Sequence, residues 1–109
     1  MARTRDVSNI LKQPFTVTLG TSNYRAGVNA GNSIESGGNY NVVIGDEAGT
    51  ALTTGDDNVY IGYAAADSAT TGSGNIAIGE NALGALTAGS NNTAITPTRF
   101  SRIFFVILT

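Results

Sequence analysis

The sequence predicts an all-β fold, a short β-solenoid built from 17-residue coils. Two observations lead to this prediction: an Ile-Gly dipeptide recurs at every seventeenth position through three coils, and several other residue types keep the same interval. Agreement of many columns at one short period indicates one supersecondary unit that stacks on its neighbour. A unit of this length suits one coil with two short strands and two turns. The repeated columns are Asn41, Asn58, Asn75 and Asn92; Ile44, Ile61, Ile78 and Ile95; Ala48, Ala65 and Ala82; Thr53, Thr70 and Thr87; and Gly55, Gly72 and Gly89.

The first strand of each coil runs from the column asparagine to the Ile-Gly dipeptide. Because side chains alternate along a strand, the residues on either side of its middle position share one face. We expect this face to form the interior of the shaft, with Val43, Tyr60 and Ala77 on the opposite face. The predicted shaft core comprises Val42, Ile44, Val59, Ile61, Ile76, Ile78 and Ile95.

The rest of each coil predicts a second strand and a turn. The strand is expected around residues 51–54, with Leu52, Ala69 and Leu86 stacked in successive coils. The glycines of the Gly55 column suit a turn with positive φ. The column asparagines are expected to form a ladder of side-chain amides between coils. A helix is the competing prediction for the Ala-rich half of the coil, but glycine and threonine at fixed columns disfavour it.

Changes in composition divide the chain into four segments. Asp6 can cap a short helix over residues 7–13, which Pro14 ends, and residues 15–19 alternate as a half-buried strand. Since so short a helix is not stable alone, we expect it to dock on another surface. The segments are 1–25, an N-terminal attachment segment or cap; 26–40, a degenerate repeat; 41–95, the solenoid repeats; and 96–109, an apolar C-terminal cap or interface strand.

The composition of the 109-residue chain excludes most enzyme mechanisms, because it has no Cys and no His. Thiolate chemistry is thereby ruled out, and the commonest general base and metal ligand is missing. Residues 26–98 carry seven acidic and no basic side chains, a charge that disfavours nucleic-acid binding. No apolar run approaches the roughly 18 residues needed to cross a bilayer, and the opening residues do not resemble a signal peptide. We therefore expect no catalytic residues, cofactor or metal, and neither nucleic acid nor membrane as a partner.

Two surface features have alternative interpretations. The acidic pairs Asp46–Glu47 and Asp56–Asp57 do not recur in the next coil, so solvated turn charges explain them better than a calcium site does. The Thr53 column, with Thr54 and Thr71 beside it, is similar to the flat threonine arrays of ice-binding solenoids, but threonine is also a common strand residue. Ice binding is therefore kept as a remote alternative.

The predicted core is too small for a stable single shaft. Three and a half coils, each rising by one interstrand spacing, stack to roughly 15–20 Å. Repeat proteins need about three units and a cap at each end, so we expect several chains to pack side by side, most simply as a homotrimer. The apolar tail also needs cover, because an exposed β-prone segment promotes aggregation. The residues assigned to the interface are Tyr60, Phe100, Ile103, Phe104 and Phe105.

The repeat, in the stretch GSGNIAIGENALGALTAGSNNTAI, resembles the Gly/Asn/Ile-Gly repeats of phage tail-fibre and fibre-like virion proteins. It is also similar to the head repeats of trimeric autotransporter adhesins, whose coils form a left-handed parallel β-roll in a homotrimer. The opening MARTRDVSNIL resembles the start of virion fibre proteins from marine, especially cyanobacterial, phages. These resemblances imply a structural fibre component of the virion, with further copies of the chain and phage tail or capsid proteins as partners. The expected attachment residues are Arg3, Arg5, Val7, Ile10 and Leu11.

A trimeric capsid decoration protein that bridges capsid subunits is the main alternative. A fibre and a decoration protein differ in their position and copy number on the particle, which the sequence does not distinguish. A cell-surface adhesin is a further alternative, which the opening residues disfavour because they lack the pattern of a signal peptide.

Overall fold

The structure is a computed structural model that describes residues 20–96 and the backbone of residues 105–108. The predicted all-β class and the solenoid with 17-residue coils are confirmed. One six-stranded sheet contains the strands of the described residues, in the order of the chain. No helix occurs in that part of the chain, and the helix predicted over 7–13 and the strand predicted over 15–19 lie outside it. The strands are β1 (Tyr24–Ala26), β2 (Val42–Ile44), β3 (Val59–Ile61), β4 (Ile76–Ile78), β5 (Asn92–Ile95) and β6 (Phe105–Leu108).

Consecutive coils stack in register. Strands β1 to β5 are parallel, and each residue of β2 pairs with the residue 17 positions later in β3. The step from β1 to β2 is one position longer, since Tyr24 pairs with Val42. Residues 26–40, predicted as a degenerate repeat, therefore belong to a complete coil with one additional residue, and β1 crosses the predicted segment boundary after residue 25.

Each described coil contains one strand, and the predicted second strand is wrong. Residues 51–54, where this strand is expected, and the equivalent residues 68–71 and 85–88 form turns, bends and irregular backbone. Two positions before each of these stretches, at residues 49, 66 and 83, the backbone is left-handed, with φ of 54°, 49° and 56°. Turns follow one another there, and single hydrogen bonds join them between coils, such as Thr70 N–H to Thr87 O at 2.7 Å. The predicted stack is nevertheless present, because Leu52 and Ala69 are fully buried and Leu86 packs against the same core.

The face of the strands that points into the solenoid is opposite to the predicted one. Val43, Tyr60 and Ala77 are fully buried, whereas Ile76 and Ile95 are 36% and 48% exposed. The prediction of the shaft core is therefore wrong for the single chain, and Tyr60, assigned to the interface, lies in the interior. The reason is alternation: the column asparagines are buried, and a strand residue two positions after a buried one shares its face. The residues that lie on the outward face are Val42, Ile44, Val59, Ile61, Ile76, Ile78 and Ile95.

Tyr60 fits inside the solenoid because its neighbours are small. Ala65, Ala66 and Ala69 belong to the same coil and to the same core cluster as Tyr60. In the preceding coil, a Cβ added at Gly49 would lie 3.0 Å from Cδ2 of the Tyr60 ring, so the glycine leaves room for the ring. Protein interiors are close-packed, and a large residue is accommodated when the volume around it is reduced. The balance of volumes between coils therefore matters as much as apolar character.

The predicted asparagine ladder is confirmed. Asn41 Oδ1 accepts hydrogen bonds from the backbone N–H of Asn58 at 2.9 Å and from its Nδ2 at 3.1 Å. The same Nδ2 donates to Gly72 O at 3.0 Å, at the end of its own coil. The backbone bond to the preceding Oδ1 is repeated at every step from Asn23 to Asn92. Buried amides are costly when unpaired, so the ladder is what makes asparagine acceptable inside the solenoid.

A second ladder of side-chain acceptors lies two residues before the asparagines, and the sequence reasoning missed it. It runs in the opposite direction, since each backbone N–H donates to a side chain of the following coil. Thr21 N–H donates to Asn39, Asn39 to Asp56, Asp56 to Ser73 and Ser73 to Ser90, at 2.8–3.0 Å. The column requires only a short side chain with an oxygen acceptor, so the residue type varies and a search for identical residues does not find it.

The Gly55 column is required by the close approach of coils, and the predicted positive φ there is wrong. A Cβ on Gly55 would overlap the carbonyl oxygen of Gly72, and one on Gly72 would overlap that of Gly89. Positive φ occurs instead at the glycine that follows each of strands β1 to β4, and Gly45 and Gly62, for example, have φ of 125° and 131°. A Cβ on Gly45 would also lie 2.6 Å from Gly62 O, so these glycines meet both requirements.

Candidate assembly surface

The outward face of the five parallel strands is apolar except at Thr93. We call this face the outer stripe. Ile76 and Ile95 are 36% and 48% exposed, Tyr24 is 49% exposed, and the other members are half-buried. The outer stripe consists of Tyr24, Val42, Val59, Ile76 and Thr93 in one column and of Ala26, Ile44, Ile61, Ile78 and Ile95 in the next.

The outer stripe has the composition of a covered surface. All-parallel sheets occur almost only where both faces are covered, and their strands are then continuous apolar runs. Strands β2, β3 and β4 read VVI, VYI and IAI, apolar at every position. The inward position of each strand is buried by its own chain, while the two outward positions are not fully covered by the described residues. Contiguous exposed apolar faces are typical of interaction surfaces.

Two columns of more polar residues border the outer stripe. Tyr40, on the side that precedes the strands, is 59% exposed, and Tyr63, on the side that follows them, is 56% exposed. The sequence reasoning singled out neither tyrosine, although each replaces a polar residue in the repeat register. We call the two columns the leading edge, which is Ser22, Tyr40, Asp57, Gly74 and Asn91, and the trailing edge, which is Val28, Asp46, Tyr63 and Glu80.

Among the described residues, one titratable side chain of the interior has a shifted pKa. Burial raises the pKa of Tyr60 from 10.0 to about 12, and the nearby Asn75 side chain lowers it slightly. The hydroxyl is buried and forms no hydrogen bond of acceptable geometry with the described residues. The ring therefore acts as a packing element, and its ionisation opposes folding.

The acidic turn residues help to hold adjacent coils together. Asp46 Oδ1 accepts a hydrogen bond from Val28 N–H at 2.9 Å, and Glu47 Oε2 accepts one from Asn29 Nδ2 at 2.9 Å. No cluster of three or more metal-ligating side chains occurs among the described residues. These carboxylates therefore act as acceptors between turns.

The threonine column is a further ladder. The hydroxyls of Thr53 and Thr70 donate to the carbonyl oxygens of Thr70 and Thr87 at 3.3 and 3.1 Å. Because these hydroxyls bond to the neighbouring coil, they do not form a free array toward solvent. The exposed Thr54 and Thr71 lie beside this ladder, so the ice-binding alternative stays a prediction.

The two ends of the sheet differ. At the first coil, Arg25 occupies the interior column beside Val43, and its Nη1 donates to Ala30 O at 2.9 Å. A charged residue on the inward face protects an edge strand from pairing with another chain. At the last coil, β6 pairs antiparallel with β5, with Phe105 opposite Ile95, so the tail covers that edge. Arg3, Arg5, Val7, Ile10 and Leu11, predicted for attachment, and Phe100, Ile103 and Phe104, predicted for the interface, lie outside the described residues.

Comparison with known proteins gives no match for this chain. No protein-family model matches it, and neither a curated protein nor a solved structure does. In the part that the structure describes, no helix is long and apolar enough to cross a membrane. The outer stripe and its edges are therefore the features from which function is inferred.

Proposed function

We propose that the chain is a non-enzymatic structural component of a phage virion, a short fibre-like appendage made of three copies and anchored by its N-terminal segment. The observation that carries this proposal is the outer stripe, an apolar face on the five parallel strands of the sheet. A partner that covers it must match a surface only two side chains wide. Further copies of the same chain supply such a surface without any additional protein.

The shape of the outer stripe favours three copies around one axis. Its two columns are about 7 Å apart, the distance between residues two positions apart along a strand. Three faces of this width enclose a narrow space, which one isoleucine from each chain in every layer would fill. The isoleucines of these layers are Ile44, Ile61, Ile78 and Ile95. In this arrangement the predicted shaft core becomes the core of the trimer.

The anchoring role rests on charge and on the resemblance of the opening peptide to phage fibre proteins. Residues 1–25 carry four basic side chains and one acidic one, whereas residues 26–98 carry seven acidic and no basic side chains. Arg3 and Arg5 can form bidentate contacts with carboxylates of a tail or capsid protein, while the acidic shaft is repelled by an acidic surface. The basic segment is thus the part of the chain suited to docking.

A pair of lysine substitutions tests the assembly. Ile61 lies in the outer stripe, and Thr71 is exposed in the second half of the same coil. We expect light scattering to give the mass of three chains for the natural protein and for Thr71→Lys, but one chain for Ile61→Lys, with the strand signal in circular dichroism retained. A folded natural protein with the mass of one chain would contradict the trimer.

Electron microscopy of labelled particles tests the location. A fibre component is expected on the tail in few copies, whereas the alternative, a capsid decoration protein, would cover the capsid in many. A variant lacking residues 1–13 is expected to keep its strand signal and its trimer mass but to be missing from particles. Incorporation of this variant at normal copy number would place the anchor elsewhere, with the tail of residues 100–109 as the next candidate.

A further inference from the structure

We infer that neighbouring chains meet along their edges through paired tyrosine and aspartate side chains, Tyr40 with Asp46 and Asp57 with Tyr63. This inference rests on the proposed trimer and specifies its subunit contacts. It follows from which residues of the leading and trailing edges lie at the same height along the solenoid.

Rotational symmetry fixes which edges meet. When copies pack their outer stripes around an axis parallel to the solenoid, the leading edge of one chain faces the trailing edge of the next. Rotation about that axis leaves the height of every residue unchanged, so each coil faces the same coil of its neighbour. An antiparallel dimer would instead bring leading edge against leading edge.

The edge residues are complementary under this pairing. In the coil of β2 the leading edge has Tyr40 and the trailing edge has Asp46; in the coil of β3 the order is reversed, with Asp57 and Tyr63. The coil of β1 pairs Ser22 with Val28, and the coil of β4 pairs Gly74 with Glu80. None of these four coils has an acidic residue at both edges, although residues 26–96 contain seven acidic side chains and no basic ones. Like charges thus stay apart across the boundary.

The chemistry of the two principal pairs fits a subunit boundary. Tyr40 and Tyr63 are 59% and 56% exposed, and the aspartates opposite them are also exposed. Asp46 Oδ1 accepts from Val28 N–H at 2.9 Å, and a carboxylate has a second oxygen that can accept from another donor. A phenol hydroxyl donates well to a carboxylate, and tyrosine rings are favoured where a surface is apolar on one side and wet on the other.

A residue exchange tests the pairing. Tyr63→Asp places two aspartates opposite each other at each of three boundaries, and we expect the concentration for half-dissociation to rise roughly tenfold or more at low salt. The double variant Tyr63→Asp with Asp57→Tyr restores one tyrosine and one aspartate per boundary and should recover the natural affinity. On the leading edge Tyr40 and Asp57 have the same φ of 58°, and the trailing edge already contains both Asp46 and Tyr63, so each substitution introduces a residue type already present in its column.

The results of these measurements distinguish a failure of the tyrosine–aspartate pairing from a failure of the proposed trimer. A natural protein that is not a trimer overturns both. A trimer that Tyr63→Asp leaves unaffected, or that the double variant fails to restore, overturns only the pairing.

Cross-linking provides an independent measurement, because the chain has no Cys. Under oxidised glutathione, the variant Tyr40→Cys with Asp46→Cys should close into a covalent ring of three chains. The matched control, Tyr40→Cys with Glu80→Cys, should remain single chains, since two coils separate the thiols by about 10 Å along the axis. Covalent dimers from Tyr40→Cys alone would indicate the antiparallel arrangement and overturn the inference.

Discussion

Replacing Asn58 by alanine tests whether the asparagine ladder holds the coils together. Asn58 is fully buried, and its side chain forms three hydrogen bonds of 2.8–3.1 Å, with Asn41, Gly72 and Asn75. Alanine would leave Gly72 O and Asn75 N–H without these partners, while Asn41 Oδ1 keeps its bond from the backbone of residue 58. Each unpaired buried group costs about 1–3 kcal/mol, so two predict a loss of roughly 2–6 kcal/mol in the free energy of unfolding.

Urea denaturation followed by circular dichroism measures this loss, at one protein concentration because association changes apparent stability. The matched control is Asn32→Ala, which removes only a 3.3 Å bond to exposed Asn29 and should change stability by less than about 0.5 kcal/mol. Asn58→Asp keeps an acceptor for Asn75 but turns an oxygen toward Gly72 O, so we expect a loss comparable to that of alanine. If Asn58→Ala proves as stable as Asn32→Ala, the ladder does not contribute as argued.

Three further predictions concern packing, pH and the end of the solenoid. Gly55→Ala should cost roughly 1–3 kcal/mol, because its Cβ would overlap the carbonyl of the next coil, whereas Gly37→Ala, with its nearest contact at 3.5 Å, should be neutral or slightly stabilising; urea midpoints compare the two. The contribution of Tyr60 is complete below pH 10.0 and falls as pH rises to about 12, because the unfolded phenol ionises first. The expected slope is about 1.4 kcal/mol per pH unit in that window, and stability curves of Tyr60→Phe should lack it. Arg25→Val should make the first coil apolar inside and cause end-to-end association, visible as a concentration-dependent mass in light scattering; an unchanged mass would show that the edge is protected otherwise.

Much of the interior could have been assigned correctly from the repeat. A buried asparagine ladder and strict alternation together place Val43, Tyr60 and Ala77 inside, since each lies two residues after a column asparagine. The prediction took the larger Val and Ile columns as the interior because they are the more apolar. A strand with three apolar residues in a row offers no contrast between its faces, so hydrophobicity alone did not distinguish them.

Other features could not be predicted from the sequence, because recognising them requires the distances between atoms of neighbouring coils. The spacing of Gly55 and Gly72 is visible in the repeat, but a glycine that avoids a collision and one that adopts positive φ look the same in a sequence. Similarly, Tyr40 and Tyr63 become candidates only when β2 and β3 are stacked and their coils bring each tyrosine beside the outer stripe.

Three features could be predicted from the sequence alone: the repeat period, the parallel strand at each Asn-to-Ile stretch and the asparagine ladder. Each of them depends on similar residues returning at a fixed interval along the chain. The inward face, the role of each glycine column and the neighbours of the edge residues depend on contacts between coils. Such contacts are set by volume and backbone approach, as the packing of Gly49 against the Tyr60 ring shows. The sequence shows which residues repeat. Only the stacked coils show which atoms lie so close together that a larger side chain would overlap them.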